Sequence, residues 1–224
     1  MKAAQKRGRP AKGPDSPGWF FAHLIRNTAG RLALLLYRTR FIGEHNVPEG
    51  GAILAGNHVS YLDPVILWCG SPRPTHFMTK SELWQVGWLG WALDQFWAFP
   101  VERDTADRDA IATGTRLLQA GELLGVFPEG TRKRGEAEDL GEAHGGGAFM
   151  ALRAGVPIVP VGFIGTDEAW PAGRKFPRIV KVTVRYGEPV WPEDFAGSRK
   201  ERVAAMTAEV MRRIDVERRG SREA

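Results

Sequence analysis

The chain contains a single cysteine, Cys69, and no apolar run approaching the roughly 20 residues that a bilayer-spanning helix requires. One cysteine excludes an internal disulfide and fits a reducing compartment, and we interpret Cys69 as a core residue. The charged start of the chain also lacks the continuous apolar core of a secretory signal. We therefore expect a cytoplasmic protein, with contact at a membrane surface left open.

Two catalytic signatures are also missing. No Gly-x-Ser-x-Gly sequence occurs, which disfavours a covalent mechanism through a serine such as Ser60. Histidines and cysteines do not recur at metal-ligand spacing, so we expect no metal site. The residues that could otherwise act as ligands are His58, Asp63, His76 and His144.

Positive charge is in modest excess, with 31 Lys and Arg against 26 Asp and Glu and a pI of about 9.6. This balance favours anionic partners, and both acidic lipid and nucleic acid qualify. Residues 1–15 are predicted to be a disordered basic arm, since residues 1–12 carry no acid. The arm is either an inert solubilising tail or a contact with a membrane surface or nucleic acid.

Residues 16–40 are predicted to contain an amphipathic helix over 17–38. Ser16 is a plausible N-cap followed by Pro17 at the first helical position. The apolar residues at helical spacing are Phe20, Phe21, Leu24, Ile25, Leu32, Leu35 and Leu36. The polar face is predicted to hold Arg26, Asn27, Arg31 and Arg38. Such a helix either lies in a lipid headgroup layer with its apolar side down or packs on the core of its own domain.

Beyond this helix, short apolar runs alternate with helical patterns, which is the order expected of an α/β domain. We predict one domain at 41–218, with a mixed central sheet flanked by helices, and a tail at 219–224. The predicted strands are 51–55, 75–79, 97–101, 123–127, 158–164 and 179–186. The predicted helices are 64–70, 105–120, 147–154 and 199–216.

Tryptophans are concentrated in one short segment that contains Trp84, Trp88, Trp91 and Trp97. The spacing predicts that the first three share one helix face. The cluster has three possible roles: it lines a tunnel for a hydrocarbon chain, it lies at a membrane interface, or it packs in the core.

A histidine and an aspartate follow the first predicted strand. Asp63 precedes Pro64, and this pair is typical of an N-cap with proline at the first helical position. His58 lies in the preceding loop, where the Asp63 carboxylate can accept one imidazole N–H. That bond would fix the tautomer and leave the other nitrogen free to take a proton from a hydroxyl. A hydrogen bond that only stabilises the loop is the alternative.

A turn able to bind an anion follows the fourth predicted strand and contains Glu129, Gly130, Thr131 and Arg132. Gly130 lets backbone N–H groups approach a phosphate closely, while Thr131 and Arg132 add a hydroxyl and a planar guanidinium. Glu129 is predicted to bind a substrate hydroxyl or to orient a neighbouring arginine. Arg103 follows another predicted strand and either reaches the same cleft or forms a surface ion pair.

Four sequence blocks occur in order between about residues 41 and 190. They are Asn57-His58-x-Ser60-x-x-Asp63, Phe99-Pro100-Val101-Glu102-Arg103, Phe127-Pro128-Glu129-Gly130-Thr131-Arg132 and Val156-Pro157-Ile158-Val159-Pro160-Val161. With these blocks the chain resembles the glycerolipid acyltransferases of the lysophosphatidate (1-acylglycerol-3-phosphate) acyltransferase type.

The resemblance implies transfer of a fatty acyl group from a thioester, on coenzyme A or acyl carrier protein, to the hydroxyl of a lysophospholipid. It implies no cofactor beyond this co-substrate. His58 would be the general base and Asp63 would orient it, while the acceptor's phosphate would be bound by Arg103, Glu129, Gly130 and Arg132. The resemblance also implies work at the cytoplasmic face of the cell membrane, on a surface with anionic lipids, and no nucleic-acid partner.

The chain departs from the family pattern near the expected headgroup site. His144 stands in a stretch before Gly147 where relatives often have aromatic and basic residues, and Lys133 and Arg134 replace small or hydroxyl residues. These departures keep other acceptors open, such as glycerol 3-phosphate or a lyso-aminolipid. A non-catalytic lipid-binding protein is a further alternative, whereas nucleic-acid binding rests only on the net charge.

Overall fold

The computed structural model describes residues 19–102, 107–130, 140, 143–171 and 173–221. Across these residues seven strands form one sheet. They are β1 (Arg40–Ile42), β2 (Ala52–Gly56), β3 (Thr75–Lys80), β4 (Ala98–Val101), β5 (Leu123–Val126), β6 (Ile158–Ile164) and β7 (Thr183–Tyr186). Their order is β1-β7-β6-β2-β5-β3-β4. Neighbours are parallel except β6 and β7, which confirms the predicted mixed sheet.

Helices cover both faces of this sheet. They are α1 (Trp19–Ile25), α2 (Arg31–Leu36), α3 (Asp63–Gly70), α4 (Gly87–Gln95), α5 (Arg108–Gln119), α6 (Gly146–Ala154), α7 (Thr166–Ala169) and α8 (Arg199–Arg218). Four match predicted helices to within a few residues, namely α3, α5, α6 and α8. Throughout the part of the chain that the structure describes, no helix is both long and apolar enough to cross a membrane.

The central strand β2 is buried on both faces and separates two hydrophobic cores. Ala52 and Leu54 contribute to the core under α3, while Ile53 and Ala55 contribute to the core under α5, α6 and α8. This alternation follows from the two-residue period of a strand. Because β2 and β5 are parallel neighbours, the loops after them meet at the same edge of the sheet.

Three predictions about secondary structure were wrong or incomplete. The predicted strand 179–186 is a strand only at Thr183–Tyr186. The edge strand β1 was not predicted, because three half-exposed residues offer no periodic signal. Trp84 does not share a helix with the next two tryptophans, since it lies in a separate 3₁₀ turn, Ser81–Gln85. Trp88 and Trp91 are on α4 and are largely exposed, whereas Trp97 is buried.

The N-terminal helix, residues 19–36, consists of α1, a π-helical turn at Arg26–Gly30 and α2. It packs closely on α3 at Gly30, where a side chain would not fit: a Cβ on Gly30 would lie 2.8 Å from the Cys69 sulfur. The Arg26 guanidinium donates to the carbonyl of Trp68 at 2.8 Å and to that of Ser71, at the end of α3. Arg26 was predicted on the polar outer face, and this was wrong, because the carbonyls at the end of α3 need donors.

Candidate active site

The loop between β2 and α3 is fixed to the sheet by Asn57. Its side-chain oxygen accepts from the Phe163 N–H at 2.8 Å, and its amide donates to the Phe163 carbonyl at 3.2 Å. These two bonds extend the pairing of β2 with β6 beyond the last backbone pair, Gly56 with Val161. Sequence reasoning assigned no role to Asn57, although an amide directly after an apolar strand is a usable signal.

The predicted contact between His58 and Asp63 is present. His58 Nδ1 lies 3.0 Å from Asp63 Oδ2, and the same carboxylate oxygen accepts from the N–H groups of Val59 and Ser60, each at 2.8 Å. The Asp63 side chain is fully buried, while 15% of the His58 side chain is exposed. Three donors on one oxygen hold the loop and the imidazole together.

Asp63 differs in one respect from its predicted role as an N-cap. The helix α3 begins at Asp63 itself, with Leu62 in the cap position, and Pro64 follows in the first turn. The carboxylate therefore turns back to the loop instead of capping the helix. Its place at a helix N-terminus still favours the negative charge, because the helix dipole is positive at that end.

The geometry selects which imidazole nitrogen carries the proton. A carboxylate can only accept, so Nδ1 of His58 donates to Asp63. Nε2 of His58 then has its lone pair available, and it has no hydrogen-bond partner in the described ranges. The ring stacks on Phe127, with centroids 4.2 Å apart and planes 21° apart, which further limits its rotation. This arrangement is that of a general base with its orienting carboxylate.

Glu129 joins the two predicted motifs. Its Oε1 accepts from the backbone N–H of His58 at 3.0 Å, and the side chain is buried. The turn that carries Glu129 follows β5, and the His58 loop follows the adjacent strand β2. The sequence predicted that both motifs face one pocket, but it did not predict that Glu129 supports the histidine backbone directly.

Gly130 forms the turn in the left-handed conformation that favours glycine, with φ +68°. Its N–H donates to the Phe127 carbonyl at 3.0 Å and closes the turn. His144 lies against it, since a Cβ on Gly130 would be 2.9 Å from the His144 ring. The His144 N–H also donates to the Pro128 carbonyl at 2.9 Å, so His144 is placed beside the predicted anion turn.

Three predicted substrate-binding residues lie outside the described residues, namely Arg103, Thr131 and Arg132, as do Lys133 and Arg134. Their roles stay predictions. The strand before Arg103 is β4, which runs parallel to β3, and β3 runs parallel to β5. The carboxyl end of β4 is therefore at the same edge of the sheet as the Glu129 turn.

Ser60 has a structural role. It is fully buried, its hydroxyl donates to the Trp170 carbonyl at 2.7 Å, and the same oxygen accepts from the Leu62 N–H at 3.2 Å. Its backbone also forms an antiparallel bridge with Pro171. A hydroxyl held in this way is not available to attack a substrate. Within the described residues, no group of three His, Cys, Asp or Glu side chains is arranged to hold a metal ion.

Residues 38–164 match the family model described as Acyltransferase. A 1-acyl-sn-glycerol-3-phosphate acyltransferase of Bacillus subtilis is 34% identical over 174 residues, which cover 76% of this chain and 83% of that protein. A lyso-ornithine lipid O-acyltransferase of Pseudomonas aeruginosa is 32% identical over 146 residues, which cover 64% of this chain and 51% of that protein.

A solved structure has the same architecture. The crystal structure of the 1-acyl-sn-glycerophosphate acyltransferase of Thermotoga maritima superimposes with a TM-score of 0.70 at 24% sequence identity. The match covers 91% of this chain and 83% of that one. At this level of identity the likeness shows a shared fold.

Proposed function

Because this chain belongs to the acyltransferase family, we propose that it is an O-acyltransferase that converts a 1-acylglycerol 3-phosphate to phosphatidate. The observation that carries the proposal is the His58–Asp63 pair, 3.0 Å apart, with Nε2 unpartnered in the described ranges. It lies at the sheet edge shared with the Glu129–Gly130 turn. The acyl donor is a thioester of coenzyme A or of acyl carrier protein, and no cofactor takes part.

The reaction is a direct attack of the acceptor hydroxyl on the thioester. His58 Nε2 removes the hydroxyl proton as the oxygen bonds to the carbonyl carbon, and the buried Asp63 carboxylate stabilises the imidazolium. The carbon–sulfur bond then breaks, and the imidazolium returns the proton to the departing thiolate. A positioned general base contributes about 10²–10⁴ in rate, so positioning of the two substrates supplies the rest.

No acyl-enzyme forms in this mechanism. The Ser60 hydroxyl is buried and bonded on both sides. Burial raises the pKa of the buried Cys69 thiol to about 11, so its nucleophilic thiolate is scarce at neutral pH. Neither residue competes with the acceptor hydroxyl for the acyl group.

The acceptor's phosphate is bound at the turn after β5. Gly130 supplies the positive φ that such a turn needs, and Arg103, Thr131 and Arg132 supply cations and a hydroxyl. Each charge-assisted hydrogen bond contributes about 1.5–3 kcal/mol. Arg103→Ala or Arg132→Ala should therefore raise the acceptor KM by about 10- to 100-fold with little change in the donor KM. An unchanged acceptor KM would remove that arginine from the site.

The protein works on the inner face of the cell membrane. The N-terminal helix leaves six large apolar side chains exposed, and α4 adds two tryptophans; they are Phe20, Phe21, Leu24, Leu32, Leu35, Leu36, Trp88 and Trp91. The Phe21 and Trp91 rings are 6.0 Å apart, so the two groups adjoin. Large apolar side chains exposed on adjoining helices, with the exposed Arg31 on one of them, are suited to a bilayer with anionic lipids. No nucleic-acid partner is part of the proposal.

One test compares acyl transfer by the purified full chain with that of His58→Ala and a matched histidine control, His45→Ala, which alters an exposed residue. We expect His58→Ala to lower transfer by at least about 10²-fold, with acceptor binding retained, and His45→Ala to match the parent. Retained transfer in His58→Ala would remove His58 from the chemistry. Binding without turnover in the parent would favour a non-catalytic lipid-binding protein.

A second acceptor deserves the same assay, because the Pseudomonas relative is named for a lyso-ornithine lipid. His144, beside Gly130, is also a departure from the pattern expected of lysophosphatidate enzymes. Incubation with an acyl thioester and a panel of lysophosphatidate, lyso-ornithine lipid and glycerol 3-phosphate decides the acceptor. Turnover of lyso-ornithine lipid alone would replace the proposed acceptor and keep the chemistry.

Glu129 acts in this proposal through His58. Glu129→Gln keeps an oxygen that accepts from the His58 N–H, whereas Glu129→Ala removes it. We expect kcat to fall in the alanine variant and to recover in the glutamine variant, with the acceptor KM unchanged in both. A rise in acceptor KM in Glu129→Gln would instead assign the carboxylate to the substrate or to an arginine.

A further inference from the structure

A second exposed surface is formed by residues 173–181, which we call the basic segment. It carries four cations, Arg174, Lys175, Arg178 and Lys181, and no acid occurs between Glu168 and Glu188. None of the four forms an ion pair with a described carboxylate. The segment thus presents uncompensated positive charge.

Two large apolar side chains project from the same segment. Phe176 is 68% exposed and Ile179 is 67% exposed. The Lys175 ammonium lies over the Phe176 ring, 5.5 Å from its centroid. Exposed apolar residues among cations indicate an interaction surface. Water solvates the apolar side chains poorly, and an anionic partner would pair with the cations.

The backbone of the basic segment is fixed although its side chains are exposed. The Trp170 indole donates to the Arg174 carbonyl at 2.9 Å, and the Arg178 N–H donates to the Ala169 carbonyl at 2.7 Å. Trp170 in turn accepts from the Ser60 hydroxyl and packs on Tyr61, with ring centroids 5.4 Å apart. The segment therefore begins directly beside the loop that holds His58 and Asp63.

The other end of the basic segment reaches the N-terminal helix. The Val182 N–H donates to the carbonyl of Tyr37, the residue after α2, at 3.1 Å. Val180 packs into the same core as Ile25 and Leu34. The segment thus bridges the helix end and the catalytic loop on one side of the sheet.

We propose that the basic segment is a second bilayer contact, in which Phe176 and Ile179 enter the headgroup region and the four cations bind anionic lipid. This inference rests on the membrane-surface location proposed above. An acidic carrier protein would pair with the cations, but it would not account for two apolar side chains about two-thirds exposed. With the N-terminal helix and the basic segment both at the bilayer surface, the catalytic loop beside the segment is held at the depth of the lipid headgroups.

The test measures partition of the full chain into vesicles, without substrate, by co-sedimentation. Vesicles of phosphatidylcholine alone are compared with vesicles containing one-third phosphatidylglycerol. The variants are Lys175→Glu/Arg178→Glu and Phe176→Ser/Ile179→Ser. The matched control is Arg199→Glu/Lys200→Glu, two exposed cations at the start of α8, which packs on the opposite core.

We expect the charge reversal to lower partition into the anionic vesicles by at least about tenfold and to leave partition into neutral vesicles unchanged. The serine pair should lower partition into both by about tenfold, and the control should match the parent. High salt should also weaken the binding of the parent protein to anionic vesicles, because salt screens the attraction between the cations and the lipid.

Parent-like partition of both variants would overturn the proposal. So would a charge reversal that leaves partition intact but raises the KM for acyl carrier protein thioester, since the partner would then be the carrier protein. Because partition is measured without turnover, a parent that binds vesicles through the basic segment but transfers no acyl group would support this inference and refute the proposed activity.

Discussion

The N-terminal helix, residues 19–36, and the C-terminal helix α8 both carry apolar residues at helical spacing, but they place them in opposite environments. Met206, Val210 and Ile214 of α8 are buried against the sheet. Phe20 and Leu35 of the N-terminal helix are 74% and 72% exposed. An apolar stripe therefore indicates that a helix needs a partner, but it does not indicate whether the partner is the protein's own core.

The polar residues of these two helices also differ in what they bind. On α8, Glu209 bonds to Arg212 and Arg213 at 2.8 and 2.7 Å, and Asp215 bonds to Arg219 at 2.9 Å. On the N-terminal helix, Arg26 instead points inward and bonds to carbonyls at the end of α3. The first pattern is that of a helix solvated on its outer face, and the second leaves apolar residues to face outward.

The largest effect should come from deleting one apolar side chain on each helix. Ile214→Ala creates a cavity in a fully buried site and should lower the free energy of unfolding by about 2–5 kcal/mol. Leu35→Ala should change it by less than about 0.5 kcal/mol, because the side chain is already exposed. Denaturant unfolding of both variants measures the difference. Equal destabilisation would show that Leu35 is packed in the protein as tightly as Ile214.

A vesicle experiment tests the outward face directly. Leu35→Ser should reduce partition into vesicles by about tenfold or more, since burial of a leucine side chain contributes about 1.5–3 kcal/mol. Val216→Ser is the matched control, because Val216 is exposed on α8. Parent-like binding by Leu35→Ser, or equal loss in both variants, would show that the N-terminal helix does not enter the bilayer.

Arg26→Lys tests the inward contact of the N-terminal helix. Lysine keeps the charge but not the planar group that reaches two carbonyls, so we expect a loss of about 1 kcal/mol in the free energy of unfolding. Arg31→Lys, at an exposed position on the same helix, should have no effect. Calorimetry or denaturant unfolding measures both, and an unaffected Arg26→Lys would mean that these bonds do not hold the helix on α3.

The smallest effect is expected on the polar face of α8. Hydrogen bonds from Arg212 and Arg213 lower the pKa of Glu209 to about 2. A lowered folded pKa stabilises the protein above the unfolded value, near 4.5, and this contribution is lost as the pH falls through about 2. Because the pair is partly solvated, Glu209→Gln should cost less than about 1 kcal/mol at neutral pH, and the cost should shrink steadily as the pH falls from 4.5 through about 2. If the difference in free energy of unfolding between Glu209→Gln and the parent does not change with pH, its cause would be packing of the side chain and not its charge.

Much of the fold could be read from local pattern. The buried strands β2, β5 and β6 are continuous apolar runs, and α5, α6 and α8 have clear periodicity, so their positions were predicted to within a few residues. The strand β1 was missed because its pairing with β7 depends on partners about 140 residues away. Local pattern contains no information about such a partner.

In the candidate site as well, a contact between residues close in sequence was predicted, whereas contacts between distant residues were not. The contact of His58 with Asp63 was predicted, because only five positions separate the two residues and their chemistry is complementary. The bond from Glu129 to the His58 backbone joins residues 71 positions apart, and the bonds of Asn57 to Phe163 join residues 106 positions apart. Motif reading named Glu129 and Asn57 but did not predict that they bind the backbones of His58 and Phe163.

Residue order alone was sufficient to predict the contact of a histidine with a carboxylate, a glycine turn after a buried strand, and the α/β order of the elements. Tertiary structure decided where these parts face, because the burial of a side chain depends on surfaces brought together from distant parts of the chain. For that reason Arg26 turns inward, Glu129 supports His58, and the apolar side of the N-terminal helix remains outside.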